Sequence, residues 1–144
     1  MAKVLSINIS EKKGVIKTPM KEGIFIEEHG LKDDAHAGKW YRQVSLLAQE
    51  SIDKMIKMGV ADLDAGKFAE NITTEGIVLH ELPVGTKLKI GKTFQEVTQI
   101  GKECHKGCAI KNQVGICIMP TEGIFTRIIK GGVIKEGDFI EILA

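Results

Sequence analysis

A chain of 144 residues fits one domain of ordinary size, and such a chain buries roughly two thirds of the surface its unfolded form exposes. Its 20 Lys and Arg against 19 Asp and Glu leave a net charge of +1, so no broad field exists to gather nucleic acid or an acidic membrane. The longest uninterrupted apolar stretch, near residues 114–119, is about a third of the ~20 residues that a bilayer span needs.

The opening residues alternate apolar and polar side chains and show neither the apolar run nor the small-residue cleavage site of a secretion signal, so a cytoplasmic protein is expected. Residues 3–9 read as a first strand and 23–27 as a second. Residues 43–48 read as a third, running straight into an amphipathic helix of about ten residues in which Ile52, Met55 and Ile56 recur at helical spacing. Ser51 is the expected N-cap of that helix and Gly59 its end. From Gly85 onward the pattern is of short β segments separated by glycines, at residues 86–90, 94–101, 115–119, 124–129 and 137–143. Gly131 with Gly132 resembles a hairpin turn, and Gly137 with Asp138 a second tight turn, since such pairs tolerate positive φ. Many short strands and few short helices predict a single mainly β domain over residues 1–144, curled into a closed or nearly closed barrel that leaves no long edge exposed.

Three cysteines, Cys104, Cys108 and Cys117, make an odd number in a chain without a secretion signal, which argues for reduced thiols rather than a disulfide scaffold. They crowd into one stretch with Lys102, His105 and Lys106, and neighbouring cations favour the thiolate, the form that attacks or binds metal. Cys108 reads equally well as a buried small apolar residue, because free cysteine is among the most buried types. One C-x3-C without a second pair is poor zinc spacing.

Two further segments carry candidate groups. Residues 36–46 open with His36, Lys39, Trp40 and Arg42 just before a strand. This reads either as an anion-binding lip, the Arg fork suiting phosphate or carboxylate, or as solvated loop charges beside a surface aromatic. Residues 66–77 offer Glu70, Asn71, Thr73 and Thr74 in what reads as an irregular loop. Their polar groups could hold a heterocycle or satisfy their own backbone, and Glu70 could act as an acid or base.

Taken in order, KVLSINIS, the KTP at residues 17–19, GLKDDAHAGKWYRQVSLL, GKFAENITTEGI, GCAI and GGVIKEGDFIEI resemble the MOSC domain, the module named after the C-terminal region of molybdenum cofactor sulfurases. The likeness covers nearly the whole chain and is greatest to the short stand-alone bacterial members. It implies a β-barrel related to the small barrel domain of pyruvate kinase. It also implies that Cys108 carries sulfur as a persulfide or coordinates molybdenum held by the pterin dithiolene, roles that suit a soft thiolate. By the same likeness His36 and Arg42, with Lys39 beside them, face the phosphate or pterin of the molybdenum cofactor (molybdopterin), while Asn71 and Thr73 line its pocket. Cys104, four residues before Cys108, is then a candidate resolving thiol. The activity implied is molybdenum-cofactor-dependent or sulfur-transferring. The alternative is a non-enzymatic carrier that delivers sulfur or metal to a partner without bound pterin. The expected partners are a cysteine desulfurase or a molybdoenzyme, with neither nucleic acid nor membrane.

Overall fold

A computed structural model describes residues 2–12, 15–57, 68–101 and 122–143. Strand β1 (Lys3–Ile9) is followed by β2 (Thr18–Met20), β3 (Glu22–Ile26), β4 (Gly30–Leu31) and β5 (Val44–Ala48). Helix α1 (Gln49–Lys57) comes next, then β6 (Ile72–Glu75), a single helical turn at Leu79–Glu81, β7 (Lys87–Ile90) and β8 (Thr93–Ile100). Strands β9 (Ile124–Lys130), β10 (Gly132–Lys135) and β11 (Ile140–Leu143) close the described chain. Eight strands form one sheet in the order β11-β7-β8-β9-β5-β6-β1-β2, and β10-β3-β4 form a second.

The alternating strands β3 and β7 bury every other residue, Gly23 and Phe25 in one, Leu88 and Ile90 in the other, as a sheet with one wet face requires. The unbroken run of β5 is buried at every position because the strand is interior, antiparallel to β9 on one side and parallel to β6 on the other. A parallel neighbour needs a crossover connection, and α1 begins it, laying Ile52 and Met55 inward. Val4, Ile7, Leu46, Ile72, Val97, Ile124 and Ile128 meet in one core with no exposed surface. Each such side chain is worth about 1.5–3 kcal/mol of transfer free energy.

Several expectations are corrected. Among the described residues no sheet closes into a barrel of the pyruvate kinase kind or otherwise. The free edge of β1 is divided: residues 7–9 pair with β2, while Val4 N–H donates to Asp138 O and Gly137 N–H to Val4 O. With Ile140 N–H donating to Ala2 O at 2.9 Å, the Val4–Asp138 bond forms an isolated bridge, Lys3 to Phe139, and no ladder between β1 and β11. The helix starts at Gln49, so Ser51 lies within its first turn and is not the N-cap; Ser51 Oγ instead donates to Glu122 Oε1 at 2.6 Å. Ile56, expected on the buried face, is 47% exposed. The strand expected at 115–119 and the helix end at Gly59 lie outside the described residues.

Gly131 and Gly132 do not make a hairpin either. There the chain leaves the large sheet for the small one, since β10 pairs with β3 rather than with β9. A Cβ on Gly131 would sit 2.6 Å from Phe25 O and 3.1 Å from Glu27 N, atoms of a backbone that cannot swing aside. Gly131→Ala is therefore expected to cost about 1–3 kcal/mol, the usual range for forced overpacking, read as a lower urea midpoint at unchanged slope. Gly137 and Asp138 do form a tight turn, with Gly137 at φ +90° and Asp138 N–H donating to Lys135 O at 3.0 Å.

Candidate functional site

The register of the first two strands decides where a lysine goes. Ile9 faces Thr18, so the next pair outward sets Lys17 across from Ser10, at the end of β1. The loop after β4 then returns to the same point, with Ala35 N–H donating to Ser10 O at 2.9 Å. The Asp34 side chain ties the corner together. Its Oδ1 accepts from Ser10 N–H at 3.0 Å and from Lys17 Nζ at 2.8 Å, and its Oδ2 accepts from His36 N–H at 3.0 Å. Both side chains of the Lys17–Asp34 pair are fully buried. Burial works to raise the Asp34 pKa, but the hydrogen bond and charge of Lys17, with Ser10 N–H and the Asn71 side chain, outweigh it and hold the carboxyl below its ordinary 3.8.

His36 sits at the rim of this corner. Its Nδ1 is 3.1 Å from Lys17 Nζ and its carbonyl accepts from Trp40 Nε1 at 2.7 Å. Ring and backbone are thus both held, while a fifth of the side chain reaches the surface.

Behind it lies a second polar layer. Asn71 Oδ1 accepts from Ser45 N–H at 3.0 Å and Ser45 Oγ at 3.2 Å, and Asn71 Nδ2 donates to Asn8 O at 3.2 Å. Asn8 Nδ2 donates to Glu70 O and Thr73 Oγ1, and Thr73 Oγ1 donates to Glu70 Oε2 at 2.8 Å. Asn8, Glu70, Asn71 and Thr73 have no exposed surface. Residues 72–75, expected within an irregular loop, are strand β6 between β5 and β1; the polar groups of Asn71 and Thr73 bond to side chains and backbone of neighbouring elements. Within the described residues Asn71 and Thr73 brace the site from inside, and the Asn71 side chain helps keep the Asp34 carboxyl low.

No bond among the described residues joins the remaining members of the expected lip, Arg42 and Lys39, to this corner. Arg42 Nε donates to Gln99 Oε1 at 3.1 Å, with its guanidinium 5.5 Å from the centres of the Tyr41 and Phe125 rings. Lys39 is exposed and lines a separate groove of about 510 Å³ with Glu28, Trp40, Tyr41, Gln43 and Arg127. Gln99, which holds Arg42, also donates to Gly101 O at 2.7 Å, and Gly101 N–H donates to Gly123 O at 2.6 Å. The residues that flank the thiol-bearing stretch, Gly101 and Gly123, thus meet each other close to Gln99, the partner of Arg42. Glu122, beside Gly123, accepts from Ser51 Oγ and from Lys54 Nζ at 3.0 Å, bonds that hold its carboxyl below the usual range against the effect of burial. Cys104, Cys108 and Cys117, with Lys102, His105 and Lys106, lie outside the described residues. Among the described residues no group of three or more His, Cys, Asp or Glu could hold a metal ion, and no helix is long and apolar enough to cross a membrane.

Lys17, Asp34, Asn8 and Ser45 are the residues that chemistry-first reading of the sequence missed. The signal for Lys17 and Asp34 was weak: a lysine before Thr-Pro and the second of two adjacent aspartates two residues before His36.

A family model described as the MOSC domain matches residues 33–141, a span holding Asp34, His36, Arg42, Asn71 and the cysteines. The chain belongs to the MOSC domain family. No curated protein matches it. Among solved structures, this MOSC domain shares its fold with the YuaD protein from Bacillus subtilis, at a TM-score of 0.80 and 18% identity, covering 99% of this chain and 96% of the other. It is also similar to YiiM from Geobacillus stearothermophilus, at a TM-score of 0.75 and 21% identity over 100% and 76% of the two chains. YiiM from Escherichia coli follows at a TM-score of 0.73 and 18% identity over 100% and 70%. Near-complete mutual coverage with YuaD accords with the resemblance to the short type. Lys17 lies outside the matched span, yet its ammonium meets Asp34 and His36 within that span.

Proposed function

We propose that this MOSC protein handles the molybdenum cofactor or the sulfur destined for it, with Cys108 as the sulfur or metal contact. The observation that supports this reading is that Gly101 and Gly123, which flank the thiol-bearing segment, are bonded to each other and, through Gln99, to Arg42. A fixed cation near a thiol favours the thiolate, and a planar guanidinium suits the phosphate of a pterin cofactor. Arg42 and His36 are the described residues that fit such a ligand. Asn71 and Thr73 act on it through their support of the corner. When bound, the cofactor would supply molybdenum redox chemistry; the chain's own part is to hold the anionic ligand and present one sulfur.

In the sulfur-carrying form of this reading, the Cys108 thiolate attacks the outer sulfur of a donor persulfide on a cysteine desulfurase. The donor sulfur–sulfur bond breaks as the new one forms, and the donor departs as a thiolate. Cys104 can then discharge the load by attacking Cys108 Sγ, releasing hydrosulfide and leaving a disulfide. Reduced thiols of this kind belong in a cytoplasmic setting. A molybdoenzyme would receive the sulfur or the cofactor.

Protein produced in a molybdenum-competent host is expected to carry molybdenum and the fluorescence of oxidised pterin, and Cys108→Ser to lose both. A carrier without pterin instead gains about 32 Da on Cys108 after incubation with a cysteine desulfurase, the mass of one sulfur. Protein that shows neither cargo, or that keeps its cargo in Cys108→Ser, overturns the proposal.

A further inference from the structure

A further cavity, of about 490 Å³, opens where β7, β11 and the turn between β7 and β8 meet β10 of the small sheet. None of its lining residues belongs to the corner around Asp34 or to the surroundings of Arg42. Its size falls in the range of small-molecule sites, roughly 300–1,000 Å³. Two kinds of group line it. Val133 and Phe139 supply apolar surface, and Phe139 is 61% exposed. Lys89, Lys92 and Lys135, all exposed, supply three ammonium groups.

The Phe139 ring stands on a fixed backbone. Asp138 O accepts from Val4 N–H at 2.8 Å and Ile140 N–H donates to Ala2 O at 2.9 Å, while Phe139 O accepts from Gly91 N–H at 3.2 Å. An aromatic face held open in this way gains from whatever covers it. The lysines are equally uncommitted. Asp138 Oδ2 accepts from the backbone N–H of Lys135 at 2.7 Å, so that carboxylate serves the turn. Strand register sets Glu141 across from Lys89 and Glu22 across from Lys135. Even so, among the described residues no carboxylate comes within ion-pair distance of Lys89, Lys92 or Lys135. Their ammonium hydrogens remain available to an acceptor from outside, and their methylene stems extend the apolar wall beneath the charged heads.

We propose that this cavity is a second binding site, for an organic anion with an apolar body: Lys89, Lys92 and Lys135 take the carboxylate, sulfonate or phosphate, and Phe139 with Val133 takes the body. Both parts of the ligand are needed. An inorganic anion leaves the ring of Phe139 in water, and a neutral apolar molecule leaves the three ammonium groups without an acceptor. The inference does not rest on the molybdenum reading, since the two sites share no residue.

Amide proton–nitrogen NMR on the whole chain, titrated with phenyl phosphate at neutral pH, tests it. Inorganic phosphate and benzyl alcohol serve as probes that carry the charge alone and the ring alone. Phenyl phosphate is expected to give saturable shifts at the amides of residues 89–92, 133–135 and 138–141, and each control to bind there about tenfold more weakly or not at all. Lys92→Glu and Phe139→Ser, both at exposed side chains, are each expected to weaken phenyl phosphate by about tenfold. The proposal is overturned by an absence of saturable shifts at these amides, including the case in which only His36 and Arg42 respond. It is overturned equally by a control that binds as tightly as phenyl phosphate, or by folded variants with unchanged affinity. Shifts of the same amides with protein concentration alone mark a surface between copies of the chain and also overturn it. If neither variant folds, the comparison of the three probes on the wild type decides.

Discussion

Asp34→Ala is expected to lower the free energy of unfolding by about 3–5 kcal/mol, the cost of leaving one member of a buried ion pair without its partner. Against a total of about 5–15 kcal/mol for a typical domain, that is the largest single loss we anticipate. The substitution strands the Lys17 ammonium, whose side chain has no exposed surface, and removes the acceptor that joins Ser10 and His36. Urea denaturation at neutral pH measures it. The effect has a defined pH dependence. The Asp34 carboxyl titrates below its ordinary 3.8 in the folded protein, because Lys17 outweighs the penalty of burial. A depressed folded pKa means that the contribution is complete above 3.8 and is lost as the pH falls from there through the folded value. The difference between wild type and Asp34→Ala therefore narrows only in acid below that point. A difference that stayed constant to lower pH would show that packing, rather than the ion pair, accounts for the loss.

Asn71→Ala is expected to follow in size. The Asn71 amide serves Ser45 N–H and Asn8 O at once, and each buried group left without a partner costs about 1–3 kcal/mol. Ser45 and Asn8 belong to β5 and β1, the two neighbours of β6, so the loss is felt across three adjacent strands. Amide hydrogen exchange reads this directly: protection should fall first in β1, β5 and β6, with β7 and β11 retaining theirs. Uniform loss of protection over the whole sheet would instead mark a simple drop in global stability. Since Asn71 also steadies the Asp34 carboxylate, the two substitutions should be less than additive in the double variant, as expected for groups within one network.

The strands that the sequence made legible are those whose residue types follow a local rule. Strand β7 alternates lysine with the buried Leu88 and Ile90, and the β5 run is short and flanked by a helix signal. Strands β1, β3 and β8 were legible from their β-branched and aromatic residues between turn signals, although Ser6 and Asn8 are buried beside Ile7 and Ile24 is exposed. Residues 72–75 carry two adjacent threonines and a glutamate, which look like a loop because a strand buried on both sides normally reads as apolar. The strand is possible only because Asn8, from residues 63 positions away from Asn71, supplies part of its bonding. Lys17 was passed over for a similar reason: a lysine is almost never fully buried unless paired, and its partner is 17 residues on.

By itself, then, the sequence determined the β-rich class, the clustering of the three thiols in one segment and the family, because each depends on residue type and spacing along the chain. Tertiary structure alone decided that Gly131 carries the chain between sheets, that the large sheet does not close among the described residues, and that Asp34 joins Ser10, Lys17 and His36 in one corner. The physical reason is that the cost of burying a charge or an amide is set by what lies across from it, and strand register, which no single segment contains, brings those partners within bonding distance.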